Sequence, residues 1–329
     1  MAPLSLLFGA ILKIRAIHHH YFKGDTDFPI PVVVVGNIYI GGTGKTPVVI
    51  ALVKQLRALG WHPGVISRGY GTQIGDEPLV GQGKLDANLF GDEPALIARE
   101  TGAPIAVHPN RPQAYFSLLA HNPQIDLVIS DDGLQHLRLH RDIEIVVQDE
   151  RGTGNGWLLP AGPLREPVSR LNTVQALISR TENAASTPST TTSSLARKTA
   201  ASLRMIQFRN LFSGQLLDPP SFIAHTKGLK VVAIAGIANP SQFFLSLQNI
   251  GIALSEQRAL ADHFTFEASI FQALDAECVL MTAKDAVKCE NIKDNRLWVV
   301  ETEMCFSDSD FLPWLNEQLK AKSVQSHHD

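Results

Sequence analysis

Ile30-Pro31-Val32-Val33-Val34-Val35-Gly36-Asn37-Ile38-Tyr39-Ile40-Gly41-Gly42-Thr43-Gly44-Lys45-Thr46-Pro47 decides the fold: a β-branched apolar run breaks into glycines and closes on Lys-Thr. The run Ile30 to Val35 predicts a buried parallel strand, because strands covered on both faces read as continuous hydrophobic stretches. Pro47 to Leu59 predicts a helix, closed by Gly60. Strand, glycine turn and Lys-Thr at a helix start form the arrangement that cradles phosphates. Glycines let backbone N–H groups approach the oxygens, and the helix N-terminus adds its positive dipole end. Gly41, Gly42, Thr43, Gly44, Lys45 and Thr46 are therefore the candidate nucleotide-binding residues, with Lys45 reaching the β- and γ-phosphates and the Thr46 hydroxyl on Mg²⁺. The strict motif has a glycine where this chain has Tyr39, so the loop belongs with variants that carry a Gly-Gly pair before Gly-Lys-Thr.

Outward from that loop, strands and helices alternate. Val65 to Ser67, Ile105 to Val107, Ile125 to Ser130 and Ile143 to Gln148 read as strands, with helices over 94–100 and 111–121 between them. Polar residues collect at the strand C-terminal ends, the pattern of a doubly wound parallel sheet. Further on, Ala184 to Ser194 is rich in Ser and Thr and reads as a surface excursion. Met205 to Leu217 reads as connecting strands. A second α/β unit follows, with strands at 230–235, 278–281 and 297–300 and a closing helix from Phe311 to Leu319, its tail frayed from Lys320. The expected architecture is α/β: a P-loop doubly wound parallel sheet with a second, smaller α/β domain and a β-strand linker. The expected divisions are 1–22, a membrane-surface helix; 23–180, the nucleotide-binding domain; 181–228, loop and linker strands; and 229–319, the second domain.

Composition bounds the rest. The 329 residues are 44% hydrophobic and 19% charged, as in a folded protein, and the net charge of -3 gives no bulk attraction to nucleic acid. Cys278, Cys289 and Cys305 offer neither a disulfide framework nor metal-ligand spacing. The apolar stretch from Leu4 to Ile14 is too short to span a bilayer and lacks a cleavage site. With Lys13, Arg15 and Lys23 it suits a helix on a membrane surface, and ordinary packing on the protein body stays open beside that.

Phosphoryl transfer needs more than a phosphate loop. Asp131-Asp132, ending an apolar strand, supplies carboxylates for Mg²⁺. Asp92 and Glu93 form a second acidic pair at a helix start, where dipole complementation alone would account for them. Asp92 is a candidate base on a hydroxyl if a histidine such as His263 tunes it. Arg68, Arg111 and Arg165 sit after strands or at helix starts, placed to grip anions, although each alone more often makes a structural ion pair.

In order, Val35-Gly36-Asn37-Ile38, Gly41 to Pro47, Ser67-Arg68-Gly69-Tyr70-Gly71, Gly91-Asp92-Glu93-Pro94, Pro109-Asn110-Arg111 and Asp131-Asp132-Gly133-Leu134-Gln135-His136 compose a series. Leu159 to Glu166, Ala235-Gly236-Ile237, Asp262-His263 and Thr282-Ala283-Lys284-Asp285-Ala286-Val287-Lys288 complete it. The series resembles the tetraacyldisaccharide 4′-kinase family, the lipid A 4′-kinases, over about residues 1 to 315, departing mildly at Leu134, where Phe is frequent. The resemblance implies transfer of the ATP γ-phosphate to the 4′-hydroxyl of an acylated glucosamine disaccharide 1-phosphate, with ATP and Mg²⁺ as cofactors. It implies Asp92 as catalytic base with His263 as its partner and Lys45 on the phosphates, and Thr46, Glu93, Asp131 and Asp132 around the metal. Arg68, Tyr70, Arg111, Gln135 and Arg165 become substrate-side candidates. The implied location is the cytoplasmic face of the inner membrane, peripheral, with the lipid and the membrane surface as partners and no obligate protein partner. The competing readings are a variant P-loop ATPase switch acting on a protein partner, and a second domain that serves as a plain lid.

Overall fold

The computed structural model describes residues 1–21, 27–181, 196–262 and 264–325. The Ser/Thr-rich stretch 184–194 and His263 lie outside the described residues. In chain order the elements are α1 (Ala2–Tyr21), β1 (Val32–Gly36), α2 (Lys45–Ala58), β2 (Pro63–Ser67), β3 (Leu79–Gly81), α3 (Ala87–Phe90), α4 (Asp92–Thr101), β4 (Ile105–Val107), α5 (Arg111–His121), β5 (Leu127–Asp131), β6 (Ile143–Gln148) and β7 (Ala176–Arg180). There follow β8 (Arg197–Asn210), β9 (Leu216–Leu217), α6 (Pro219–His225), β10 (Val231–Ala235), α7 (Pro240–Asn249), β11 (Glu256–Ala259), α8 (Ala268–Gln272), β12 (Cys278–Thr282), α9 (Ala283–Ala286), β13 (Leu297–Phe306) and α10 (Phe311–Gln325).

Two compact units divide the chain: residues 1–85, 97–202 and 304–329 form one, and residues 86–96 and 203–303 the other. The chain passes between them within β8 and within β13, which are the β-strand linker of the fold. In the first unit the strand order is β8-β7-β6-β1-β5-β2-β4-β3, parallel except for the antiparallel edge strand β3. All five β1 residues are buried. Each valine there contributes about 1.5–3 kcal/mol by leaving water. Val32 and Val34 join Ala114, Tyr115 and Leu118 of α5 in one core cluster. The pleat turns Val33 and Val35 to the opposite side. Gly36 must be glycine because the strand passes under Leu134, whose Cγ would lie 2.7 Å from an added Cβ.

The second unit orders its strands β11-β10-β12-β13-β8, with β9 antiparallel on β8. Alternation along its strands feeds two cores. Val231, Ala233, Leu280 and Trp298 pack with Phe208, Phe222 and Phe244. Val232, Ile234, Met281 and Val299 pack with Phe266 and Phe271.

Several boundaries differ from the sequence reading. The first strand starts at Val32, and α2 starts at Lys45, so Lys45 and Thr46 occupy its first turn and Pro47 falls where helix N–H groups lack partners anyway. The tail expected to fray from Lys320 continues α10 to Gln325. Helix α1 packs in part on the body of the protein. Its Ser5 hydroxyl donates to the Leu158 carbonyl at 2.8 Å and accepts from the Ala161 N–H at 2.9 Å. Leu4, Leu6, Leu7, Ile11, Ile14 and Ile17 meanwhile stay exposed.

Candidate active site

The Gly41–Thr46 loop joins β1 to α2 at the C-terminal edge of parallel strands, where α/β sheets place their ligands. Gly44 caps α2 with φ 71°, a left-handed conformation that glycine adopts without steric cost. Three successive carbonyls of the loop are held from outside. Asn37 Nδ2 donates to the Gly41 carbonyl at 3.3 Å, Arg151 Nη2 to Gly42 at 3.1 Å, and Arg180 Nη1 to Thr43 at 3.5 Å. Tyr39, at the position of the missing glycine, is 2% exposed, and its hydroxyl accepts the Asp149 N–H at 2.6 Å. Burial pushes the Tyr39 phenol pKa up, so it stays neutral. Asp149 in turn holds Arg151 through paired contacts at 2.6–3.0 Å. The departure from the strict motif is thus an anchor tying the loop to the end of β6.

Asp131 ends β5 and is buried, while Asp132 follows it at φ 51°, in the left-handed region. That conformation is tolerated by Asp at a cost and turns its carboxylate toward the loop. Lys45 Nζ lies 3.3 Å from Asp132 Oδ1 and Arg165 Nη1 3.6 Å from Oδ2. Thr46 is also buried nearby at the helix start. Thr46, Asp131 and Asp132 offer hard oxygen donors and no cluster of three or more His, Cys, Asp or Glu exists among the described residues. That donor set fits Mg²⁺, which takes one or two carboxylates and completes its shell with phosphate and water. The glycine cradle, open where a Cβ would intrude on Arg180, fits a nucleotide's phosphates.

The substrate-side candidates fall into different settings. Arg68 and Tyr70 are exposed. Arg165 faces Asp132 because its N–H donates to the Ile38 carbonyl at 2.7 Å, pinning the 159–166 loop beside the phosphate loop. Gln135 donates to the Asn37 carbonyl at 3.0 Å and to Glu166 at 2.6 Å. Arg111 is 1% exposed and spends its fork on the carbonyls of His108 and Asp131, at 3.0 and 3.2 Å. Burial pulls its pKa down to about 10 against the pull of Asp131 and Asp132. It braces the acidic pair from inside. His136, named in the sequence only as the end of the Asp131–His136 motif, sits among cations: burial, then Arg111, Arg68, Arg15 and Arg141, lower its pKa to about 4 and keep it neutral.

Asp92 and Glu93, at the start of α4, belong to the second unit. There they meet the Thr282–Lys288 motif. Lys288 Nζ lies 3.4 Å from Asp92 and 3.3 Å from the fully buried Asp285. Lys284 Nζ lies 3.5 Å from Glu93 and 3.2 Å from Asp262. Asp285 is fixed by the Gly236 N–H at 3.1 Å and the Thr282 hydroxyl at 2.8 Å. Burial opposes the charge on Lys284, but Glu93, Asp262 and Asp92 outweigh it and raise its pKa. The signal for these lysines was their place in the Thr282–Lys288 motif, where Lys284 lies on the short helix α9 and Lys288 in the turn after it.

A parallel α/β sheet whose first strand runs through a glycine loop into a Lys-Thr helix start, with an acidic pair beside it, defines a P-loop phosphotransferase. The family described as tetraacyldisaccharide-1-P 4′-kinase, LpxK, matches residues 1–320, and the chain belongs to that family. It is 52% identical to the tetraacyldisaccharide 4′-kinase of Bordetella parapertussis over 98% of this chain and 92% of that one. It is 46% identical to the Pasteurella multocida tetraacyldisaccharide 4′-kinase over 92% and 89% of the two chains. The crystal structure of LpxK from Aquifex aeolicus in complex with ATP superposes with a TM-score of 0.81 over 97% of each chain, at 24% identity, and shows the same fold. As a family member the chain is an ATP-dependent kinase of tetraacyldisaccharide 1-phosphate in lipid A biosynthesis. The reading as a partner-directed ATPase switch gains no support from these relatives.

Proposed function

We propose that residues Gly41 to Thr46 hold the ATP phosphates, that Thr46, Glu93, Asp131 and Asp132 hold Mg²⁺, and that Asp92 takes the proton from the 4′-hydroxyl with His263 as its partner. The observation that carries this reading is Lys45, on the first turn of α2, paired at 3.3 Å with Asp132. An incoming γ-phosphate offers Lys45 a stronger partner and leaves Asp132 to the metal. Bound Mg²⁺ supplies charge neutralisation on the phosphate oxygens. Arg165 and Gln135 stand at the same edge for the sugar or its phosphate, with Arg68 and Tyr70 exposed beyond them and Arg111 acting through Asp131. Lys288 and Lys284 orient Asp92 and Glu93 through ion pairs at 3.4 and 3.5 Å.

No described helix is long and apolar enough to cross a membrane. The exposed apolar face of α1 is instead the surface on which this reading places the inner membrane, at its cytoplasmic face, where the acylated acceptor resides. Residues 1–22 are then the membrane-surface helix, and the reading needs no obligate protein partner. Kinase turnover and ATP hydrolysis measured for Asp92→Ala and His263→Ala test the base assignment. Loss of lipid phosphorylation in both supports it, and unchanged turnover in both sinks it.

A further inference from the structure

The peptide plane fixes what the three held carbonyls mean. In a trans peptide the C=O of one residue and the N–H of the next point in opposite directions. Holding the carbonyls of Gly41, Gly42 and Thr43 from outside the loop therefore aims the N–H groups of Gly42, Thr43 and Gly44 the other way, into the cradle. The residues that do the holding come from three places: Asn37 at the end of β1, Arg151 after β6, and Arg180 at the last position of β7. A general phosphate loop depends on its own glycines for this orientation. Here the first glycine is replaced by Tyr39, whose hydroxyl and ring are committed to Asp149 and, at 5.1 Å, to the Arg151 guanidinium.

Arg180 has no role in the site as read from motifs. Its guanidinium occupies the space beside Gly44, where an added Cβ would fall 2.6 Å from Cζ. Its Nε is buried without a hydrogen-bond partner. Desolvation lowers its pKa, and the charge of Asp149 compensates this incompletely. A buried guanidinium with an unspent Nε donor and incomplete compensation is costly unless an anion arrives nearby. The phosphate loop is where one arrives.

We propose that Arg151 and Arg180 are positioning residues for phosphoryl transfer: they clasp the Gly42 and Thr43 carbonyls so that the loop amides face the nucleotide, and Arg180 adds fixed positive charge behind Gly44. This rests on the nucleotide reading of the Gly41–Thr46 loop, and Lys45→Ala separates the two. The experiment uses the full-length chain with Arg180→Gln, Arg180→Lys, Arg151→Gln and Lys45→Ala. It measures ATP affinity by titration calorimetry without lipid, then KM for ATP, KM for the lipid acceptor and kcat. Arg180→Gln is expected to weaken ATP binding and raise its KM by roughly 10-fold, the loss of one charge-assisted contact, with the lipid KM unchanged. Arg180→Lys keeps the charge but not the fork and recovers part of the loss. Free guanidinium ion restores Arg180→Gln, an effect a purely structural role would not produce.

Where Arg180→Gln loses its cooperative melting transition, Arg180→Lys carries the same test through its ATP-specific KM. Folded Arg180 variants with unchanged ATP affinity and KM, or with equal losses for both substrates, overturn the proposal. If Lys45→Ala also binds ATP unchanged, the nucleotide reading of the loop itself has failed. If Lys45→Ala alone weakens binding, only the clasp has failed.

Discussion

Replacing Lys288 by Met removes the cation shared by Asp92 and Asp285, at 3.4 and 3.3 Å, while keeping an unbranched side chain of similar size. At an effective dielectric of about 20, one such contact is worth roughly 5 kcal/mol before desolvation. Asp285 has no exposure and Asp92 only 13%, so breaking the pair strands a buried carboxylate. The net loss is about 3–5 kcal/mol of stability, read as a shift of the urea midpoint with unchanged slope. The catalytic consequence is distinct. Asp92 loses the ion pair that holds its carboxylate in place, although Lys284 still acts on it through space. Turnover is expected to fall ~10–100-fold, the scale of misplacing a reacting group by about 1 Å. The assay is lipid phosphorylation by the parent, Lys288→Met and Lys288→Arg. The arginine variant is expected to recover most of the turnover. A folded Lys288→Met enzyme with unchanged kcat would refute the assignment of Asp92 as the base held by Lys288.

Gly44→Ala places a side chain at φ 71° and against the Arg180 guanidinium, costing ~1–2 kcal/mol from the backbone alone; its thermal midpoint drops modestly while ATP ceases to raise it. The His136 pKa lies near 4 in the folded chain, below the ordinary 6.5, so the unfolded chain binds the proton first on acidification. Its contribution is intact above pH 6.5, is lost progressively down to about 4 and is level below that; denaturation series for His136→Gln should lack this component of the acid loss. Leu7→Glu with Ile11→Glu, on the exposed face of α1, is expected to cut sedimentation with anionic vesicles ~10-fold without moving the melting midpoint, and equal sedimentation counts against the surface reading.

Legibility followed the range of the interactions. Strands β1, β5, β10 and β12 are short apolar runs whose burial on both faces shows in the local sequence. Strand β8, Arg197–Asn210, was read only from Met205 onward, because its burial changes along its length and four basic residues interrupt the alternation. Strand β13 likewise continues past Val300 into Glu301–Phe306, where exposed residues end the apolar signal. The phosphate loop and the acidic pair were readable because glycines, Lys-Thr and Asp-Asp act within a few residues of one another. Arg151 and Arg180 were not, since they reach Gly42 and Thr43 across 109 and 137 residues. Only the position of Arg180, closing a parallel strand at the edge that binds ligands, gave it away. Lys284 and Lys288 were readable as a motif, and their partners Glu93 and Asp92 emerged only from tertiary structure.

The most direct measurement is transfer of label from γ-phosphate-labelled ATP, with Mg²⁺ and tetraacyldisaccharide 1-phosphate, by the parent chain and by Lys45→Ala, with the product's phosphate position read by mass spectrometry and phosphorus NMR. The expected result is a bisphosphorylated lipid labelled at the 4′ position from the parent chain and a loss of at least ~100-fold for Lys45→Ala, the scale of removing a cation that stabilises the transferring group. Hydrolysis of ATP without labelled lipid, or undiminished transfer by Lys45→Ala, would contradict the assignment of the Gly41–Thr46 loop as the phosphoryl-transfer site of a lipid kinase.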